Sequence, residues 1–173
     1  MKISLASILV ACGVSLSVQA AGVTANISNV HLCCKGCVSG VEKAVGAVPG
    51  ATASVDKDAG TVALSGPDTA TVQKAANALV TAGYYGKSSD SRIKLSDSTG
   101  AKGKKVQSLQ VNGVHLCCGK CVTAVDDALK TVPGVKTQTA VKGAKSFEVM
   151  GDFNDKEAFT ALQKAGFTGK AGN

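Results

Sequence analysis

Apolar residues alternate loosely with polar ones from Val23 to Val30 and again from Val106 to Val114, the period of a half-buried strand. Each run leads into residues spaced as on one face of a helix: Val38, Val41, Ala44, Val45 and Val48 in the first case, Val122, Val125, Ala128, Leu129 and Val132 in the second. Pro49-Gly50 and Pro133-Gly134 stop these helices. Thr52–Lys57 and Thr61–Ser65 then read as a hairpin around Asp58-Ala59-Gly60, matched by Val135–Val141 and Lys145–Met150 around Gly143. Asp68 and Asn154 are placed to cap second helices, which carry Val72, Ala75, Ala76 and Leu79, and Ala158, Phe159 and Leu162. Each copy ends at Ala-Gly before a short last strand. The order βαββαβ, twice, predicts an α+β chain of two tandem ferredoxin-like α/β sandwiches. At about 65 residues each, their cores are small.

The two halves also resemble each other residue by residue. Between Val30–Gly50 and Val114–Gly134, 12 of 21 positions are identical. Leu79–Gly86 and Leu162–Gly169 match in outline, with Ala-Gly-aromatic in both. This places a first domain at 21–87 and a second at 106–173. The segment between, 88–105, is rich in Ser, Gly and Lys and reads as a mobile polar linker.

Composition narrows the function classes. An apolar fraction of 45% excludes a disordered chain, and 3% aromatics with no Trp argues against a large aromatic-lined pocket. The net charge is +7, but more than half of the excess lies in residues 91–105, so neither domain carries a basic face for nucleic acid. Met1-Lys2, an apolar run from Ile3 to Val18 and Val18-Gln19-Ala20 have the three parts of a secretory signal peptide, 1–20. Leu9-Val10-Ala11-Cys12 also reads as a lipobox, which would make Cys12 a lipid anchor instead. No other stretch is apolar enough to span a membrane. The expected location is secreted or periplasmic. The sequence has no Ser/His/Asp set, no paired carboxylates and no phosphate-binding Gly loop, so no enzyme is expected.

Seven Cys are present. Apart from Cys12 they form two clusters, Cys33, Cys34 and Cys37, then Cys117, Cys118 and Cys121. The only two His residues, His31 and His115, each stand two residues before a cluster. Structural disulfides close long loops and spread along a chain; a Cys34–Cys37 bridge would close almost nothing. A Cys-x-x-Cys at a helix start instead sets two thiols on one turn, where the helix amino terminus favours thiolate. Thiolates are soft ligands for Cu(I), Zn²⁺ and related ions. His31 and Cys33 lie two apart on an extended segment and share a face, with Leu32 turned to the core. The candidate ligands are therefore Cys34, Cys37, Cys118 and Cys121, joined by Cys33, Cys117, His31 and His115. Matching clusters across a polar linker predict two independent sites, each with up to three Cys and one His.

With these motifs in view, the chain resembles the heavy-metal-associated domain family, which includes copper chaperones and the amino-terminal modules of heavy-metal ATPases. The family pattern is Met-x-Cys-x-x-Cys, Val-x-x-Val-x-x-Ala-Leu, Val-Pro-Gly-Val and a late Ala-Gly-Tyr. Cys34/Cys37 and Cys118/Cys121 fall on its two metal-binding Cys, Leu32 and Leu116 on its Met, and Tyr84 and Phe167 on its late aromatic. Cys33, Cys117, His31 and His115 are departures that enrich the site. The resemblance implies a metal carrier, scavenger or donor for Cu(I), with Zn²⁺ second, working with a metal-donor or acceptor protein. A thiol–disulfide redox protein and a disulfide-stabilised assembly module remain the alternatives.

Overall fold

The computed structural model describes residues 22–96 and 98–172. The segment expected to be a signal peptide, including Cys12, lies outside the described residues. The first unit runs β1 (Val23–Ser28), α1 (Lys35–Gly46), β2 (Thr52–Asp56), β3 (Thr61–Gly66), α2 (Thr69–Thr81) and β4 (Lys87–Ser88). The second runs β5 (Lys105–Asn112), α3 (Gly119–Lys130), β6 (Val135–Gln138), β7 (Ser146–Asn154), α4 (Asp155–Lys164) and β8 (Lys170–Ala171). Each forms a four-stranded antiparallel sheet, β2-β3-β1-β4 and β6-β7-β5-β8, the order of a ferredoxin-like sandwich. Register follows the apolar pattern: Ala25 faces Leu64 and Ile27 faces Val62, and in the second sheet Leu109 faces Val149 and Val111 faces Phe147. Helix residues Val41, Val45, Ala76 and Leu79 are fully buried, as are Val125, Ala158 and Leu162. Asp68 caps α2 by accepting the Thr71 N–H at 2.7 Å, and Asn154 caps α4.

The first strand of each unit is shorter than its apolar run. β1 stops at Ser28 because Asn29 takes φ 60°, and β5 stops at Asn112 because Gly113 takes φ 77°. Asn and Gly are the residues that enter the left-handed region most readily. Val30 to Cys33 are nonetheless alternately buried and half-exposed, so Leu32 enters the core while His31 and Cys33 face away from it.

The segment expected to be a mobile linker is instead packed along both units. Ile93 is buried, and the Gln73 side chain holds the Lys94 backbone by two hydrogen bonds of 2.7 and 2.8 Å. The Asp155 carboxylate accepts the Lys102 and Lys104 N–H groups, each at 2.9 Å. Hydrogen bonding of main-chain groups by the Gln73 amide and the Asp155 carboxylate, rather than a hydrophobic stripe, holds this strap, and that leaves no periodicity in the sequence. Burial opposes ionisation of Asp155, but the backbone N–H groups outweigh it and hold the carboxyl below its usual range. A depressed carboxyl stabilises the fold above its unfolded pKa of about 3.9, and the contribution is lost as pH falls through the lower folded value. Asp155→Ala should therefore cost about 1–3 kcal/mol at neutral pH. In thermal melts the gap from wild type should shrink once pH falls below the folded pKa.

The two units meet through their late Ala-Gly-aromatic segments. Tyr84 and Phe167 form an antiparallel bridge; the Tyr85 N–H donates to Gly166 O and the Thr168 N–H to Gly83 O, both at 3.1 Å. The paired bonds are exchanged by an approximate two-fold axis, as in an isologous dimer interface. No helix among the described residues is long and apolar enough to cross a membrane.

Candidate metal centre

The two Cys motifs lie on this axis and face each other. Cys34 and Cys118 are the N-caps of α1 and α3, in extended conformations with φ −158° and −150°. Ser, Thr, Asp or Asn at such a position turns its side chain onto the helix N–H groups. Neither thiol makes such a capping hydrogen bond, although Cys118 stays close enough to the first turn of α3 to feel its N–H groups. Both are turned outward, toward the other unit. Cys37 and Cys121, one turn into the helices, are fully buried beneath them.

The result is a single group of six sulfurs drawn from both units, not two separate centres. Cys33 Sγ lies 3.2 Å from Cys118 Sγ, and its two-fold counterpart, Cys34 to Cys117, is 3.3 Å. Cys37 and Cys121 are 3.9 Å apart across the axis. Cys33 also approaches Cys121 at 3.5 Å, and Cys117 approaches Cys37 at 3.3 Å. Within each motif Cys37 stands 3.7 and 3.9 Å from Cys33 and Cys34, and Cys121 stands 3.6 and 3.8 Å from Cys117 and Cys118. Cys33 and Cys117, which one motif alone would leave as extra thiols, are the residues that join the two motifs.

Packing six thiols together separates their proton affinities. Cys37 is pulled down, chiefly by the Cys121 thiol donating to it, against the cost of burial; Cys121 is pushed up by the same bond. The approximate two-fold makes these roles exchangeable between Cys37 and Cys121. Burial, then donation to Cys118, pushes Cys33 up to about 12. For Cys118 burial is outweighed by the Cys121 backbone N–H and the Cys33 thiol, which bring it down to about 6. A cluster of this kind holds several protons only until cations replace them.

The two histidines are not equivalent. His115 stacks on Tyr84, ring centroids 4.5 Å apart, and its Nε2 is 3.0 Å from the Tyr84 oxygen. The Tyr84 O–H is already donated to Cys37 O at 2.9 Å, so the His115 Nε2–H donates to Tyr84. His31 stacks in the same way on Phe167, at 4.4 Å. Phe167 has no hydroxyl, and the buried His31 Nε2 has no hydrogen-bond partner. A ring nitrogen of His31 lies within 4.8 Å of the sulfurs of Cys33 and, from the other unit, Cys121. Burial lowers the His31 pKa, with a further push from His115 and an opposing pull from Cys37, and keeps the ring neutral and able to ligate. The four-ligand set expected within each half is thus replaced by a shared one, in which each His adjoins a sulfur of the other unit, His31 beside Cys121 and His115 beside Cys37, while His115 alone is also held by a tyrosine. Tyr84 and Phe167 are buried packing residues, and they also decide which His is free.

No protein-family model matches the chain, and no curated protein matches it. Among solved structures, the chain is similar to the N-terminal soluble domains of Bacillus subtilis CopA, at 16% identity over 88% of this chain and 95% of that one, with a TM-score of 0.30. The chemistry therefore rests on this chain's own residues. Six thiols and one unpartnered imidazole, floored by two buried Cys at converging helix amino termini, suit a thiophilic cation.

Proposed function

We propose that this chain is a metal-binding protein of the heavy-metal-associated type that takes thiophilic ions, Cu(I) ahead of Zn²⁺, and acts outside the cytoplasm as a carrier, scavenger or donor rather than as an enzyme. The observation that supports it is the convergence of two Cys-Cys-x-x-Cys motifs, 84 residues apart in sequence, on sulfur separations of 3.2–3.9 Å. Six thiols held this close would repel one another as thiolates in water. Soft cations remove that repulsion. Cys33, Cys34, Cys117 and Cys118 are half-exposed, so a partner's thiolate can reach an ion they hold, whereas Cys37 and Cys121 form a floor closed to solvent.

The test is Cu(I) and Zn²⁺ titration of the reduced chain under anaerobic conditions, followed by native mass spectrometry. The reduced protein should retain Cu(I) against a competing chelator. Absence of any retained metal would sink the reading. A Cys34→Ser/Cys37→Ser variant is decisive for the shared site. Two independent centres would leave half the capacity and unchanged affinity. The convergence predicts that the remaining copper binds at least tenfold more weakly, because Cys117 and Cys121 lose their partners from the other motif.

A further inference from the structure

The six sulfurs have a definite arrangement. Apart from Cys33/Cys117, Cys34/Cys121 and Cys37/Cys118, every pair lies within 4.8 Å. Those three pairs share no residue, so they are the opposite corners of an octahedron. Any four corners of an octahedron include an opposite pair. No four sulfurs are therefore mutually close, and the tetrahedral thiolate cage that Zn²⁺ takes in structural sites is not available here. What the arrangement offers is triangles.

Four of the triangles alternate around the octahedron: Cys33/Cys34/Cys118, Cys34/Cys37/Cys117, Cys117/Cys118/Cys121 and Cys33/Cys37/Cys121. Each sulfur belongs to two of them and to no more. Sulfurs held ~2.3 Å from an ion at the centre of a planar triangle stand about 4.0 Å apart. Nine of the twelve triangle edges, at 3.2–3.9 Å, need only a slight expansion to reach that, and the other three lie within 4.8 Å. His31 lies over the edge of the fourth triangle, beside Cys33 and Cys121.

We infer that the interdomain site takes four Cu(I) ions together, one in each alternating triangle, with every thiolate bridging two of them. The inference rests on the reading of the chain as a Cu(I)-binding protein. Cu(I) accepts three soft ligands in a plane, which matches the triangles. Six thiols release six protons to solvent as four monovalent ions bind and no electron is transferred, so the cluster keeps two negative charges. The amino termini of α1 and α3 point at it from both sides, where anionic charge is favoured. A cluster held in common also ties the two units together, so copper would act as a cross-link as well as cargo.

Anaerobic Cu(I) titration of the reduced full chain, read by native mass spectrometry and X-ray absorption, tests this. The expected result is a four-copper species that dominates before saturation, with three-sulfur coordination and a copper–copper scattering path. Cys33→Ser removes the sulfur common to two triangles, and should abolish the four-copper species and leave two ions. Saturation at one or two Cu(I) without a copper–copper path would overturn the cluster while leaving Cu(I) binding intact. Retention of four ions by Cys33→Ser would overturn the bridging arrangement. Failure of the wild-type chain to hold any Cu(I) would overturn the underlying reading as well.

Discussion

The double substitution Gly83→Ala/Gly166→Ala should open the seam between the two units and divide the shared site into two three-thiol halves. Both glycines have positive φ, 89° and 85°. A Cβ on Gly83 would stand 2.5 Å from Gly113 O and His115 N, and one on Gly166 would stand 2.4 Å from His31 N. These are backbone atoms of the opposite unit and cannot turn aside. They belong to the segments that carry each His toward its Cys motif. Left-handed backbone at a non-Gly residue costs about 1–3 kcal/mol per position, and the steric overlap adds to it. The paired N–H bonds of Tyr85 and Thr168 would be lost in the process. Small-angle scattering should report a longer particle. Cu(I) uptake should change from one concerted event to two separate ones with affinity lowered at least tenfold. Gly143→Ala is the control: it carries the same kind of strain, at φ 85°, with no atom within 4 Å of the added Cβ. If the double variant keeps the wild-type dimensions and concerted uptake, the seam does not hold the site together.

Much of each unit was legible because it is written in periodicity. Alternation at Ala25 and Ile27, and helical spacing at Val41, Val45, Val125 and Leu129, are direct consequences of burial on one face. The Cys and His residues of the site were equally visible, since Cys12 is the one other residue of those types in the sequence. Their grouping was not. Two matching motifs separated by a polar segment read as two sites, and nothing in a hydrophobic pattern marks the interface that joins them. That interface is made of backbone N–H and C=O groups at Gly83, Tyr85, Gly166 and Thr168, with sulfurs at its centre. The available clue was the Ala-Gly-aromatic repeated in both halves, which marks the close backbone approach. The strap at 89–104 escaped for a related reason: its anchors are Gln73 and Asp155, polar residues whose partners are main-chain atoms far along the sequence.

The same internal asymmetry that separates Tyr84 from Phe167 predicts unequal roles for the two histidines. His31→Ala should weaken metal binding roughly ten- to a hundredfold, the range seen when groups supporting a metal site are removed. His115→Ala should change it less than threefold. The reason is hydrogen bonding. The His115 Nε2 is committed to the Tyr84 oxygen, itself anchored on Cys37 O, so this His braces the wall of the site. The His31 Nε2 is buried with nothing to bond, which costs about 1–3 kcal/mol unless a partner arrives. A metal ion beside Cys33 and Cys121 lies within reach of this ring, whose nitrogen no tyrosine engages. The converse substitution sharpens the test. Phe167→Tyr places a hydroxyl where Tyr84 has one in the other half, and should engage His31 as Tyr84 engages His115. Ala124 stands where the first unit has Gly40, whose added Cβ would lie 2.2 Å from the Tyr84 oxygen, so the full exchange is Ala124→Gly/Phe167→Tyr. That variant should keep its thermal stability and lose metal affinity to the level of His31→Ala. Equal losses in His31→Ala and His115→Ala, with none in the exchange variant, would show that both histidines only pack.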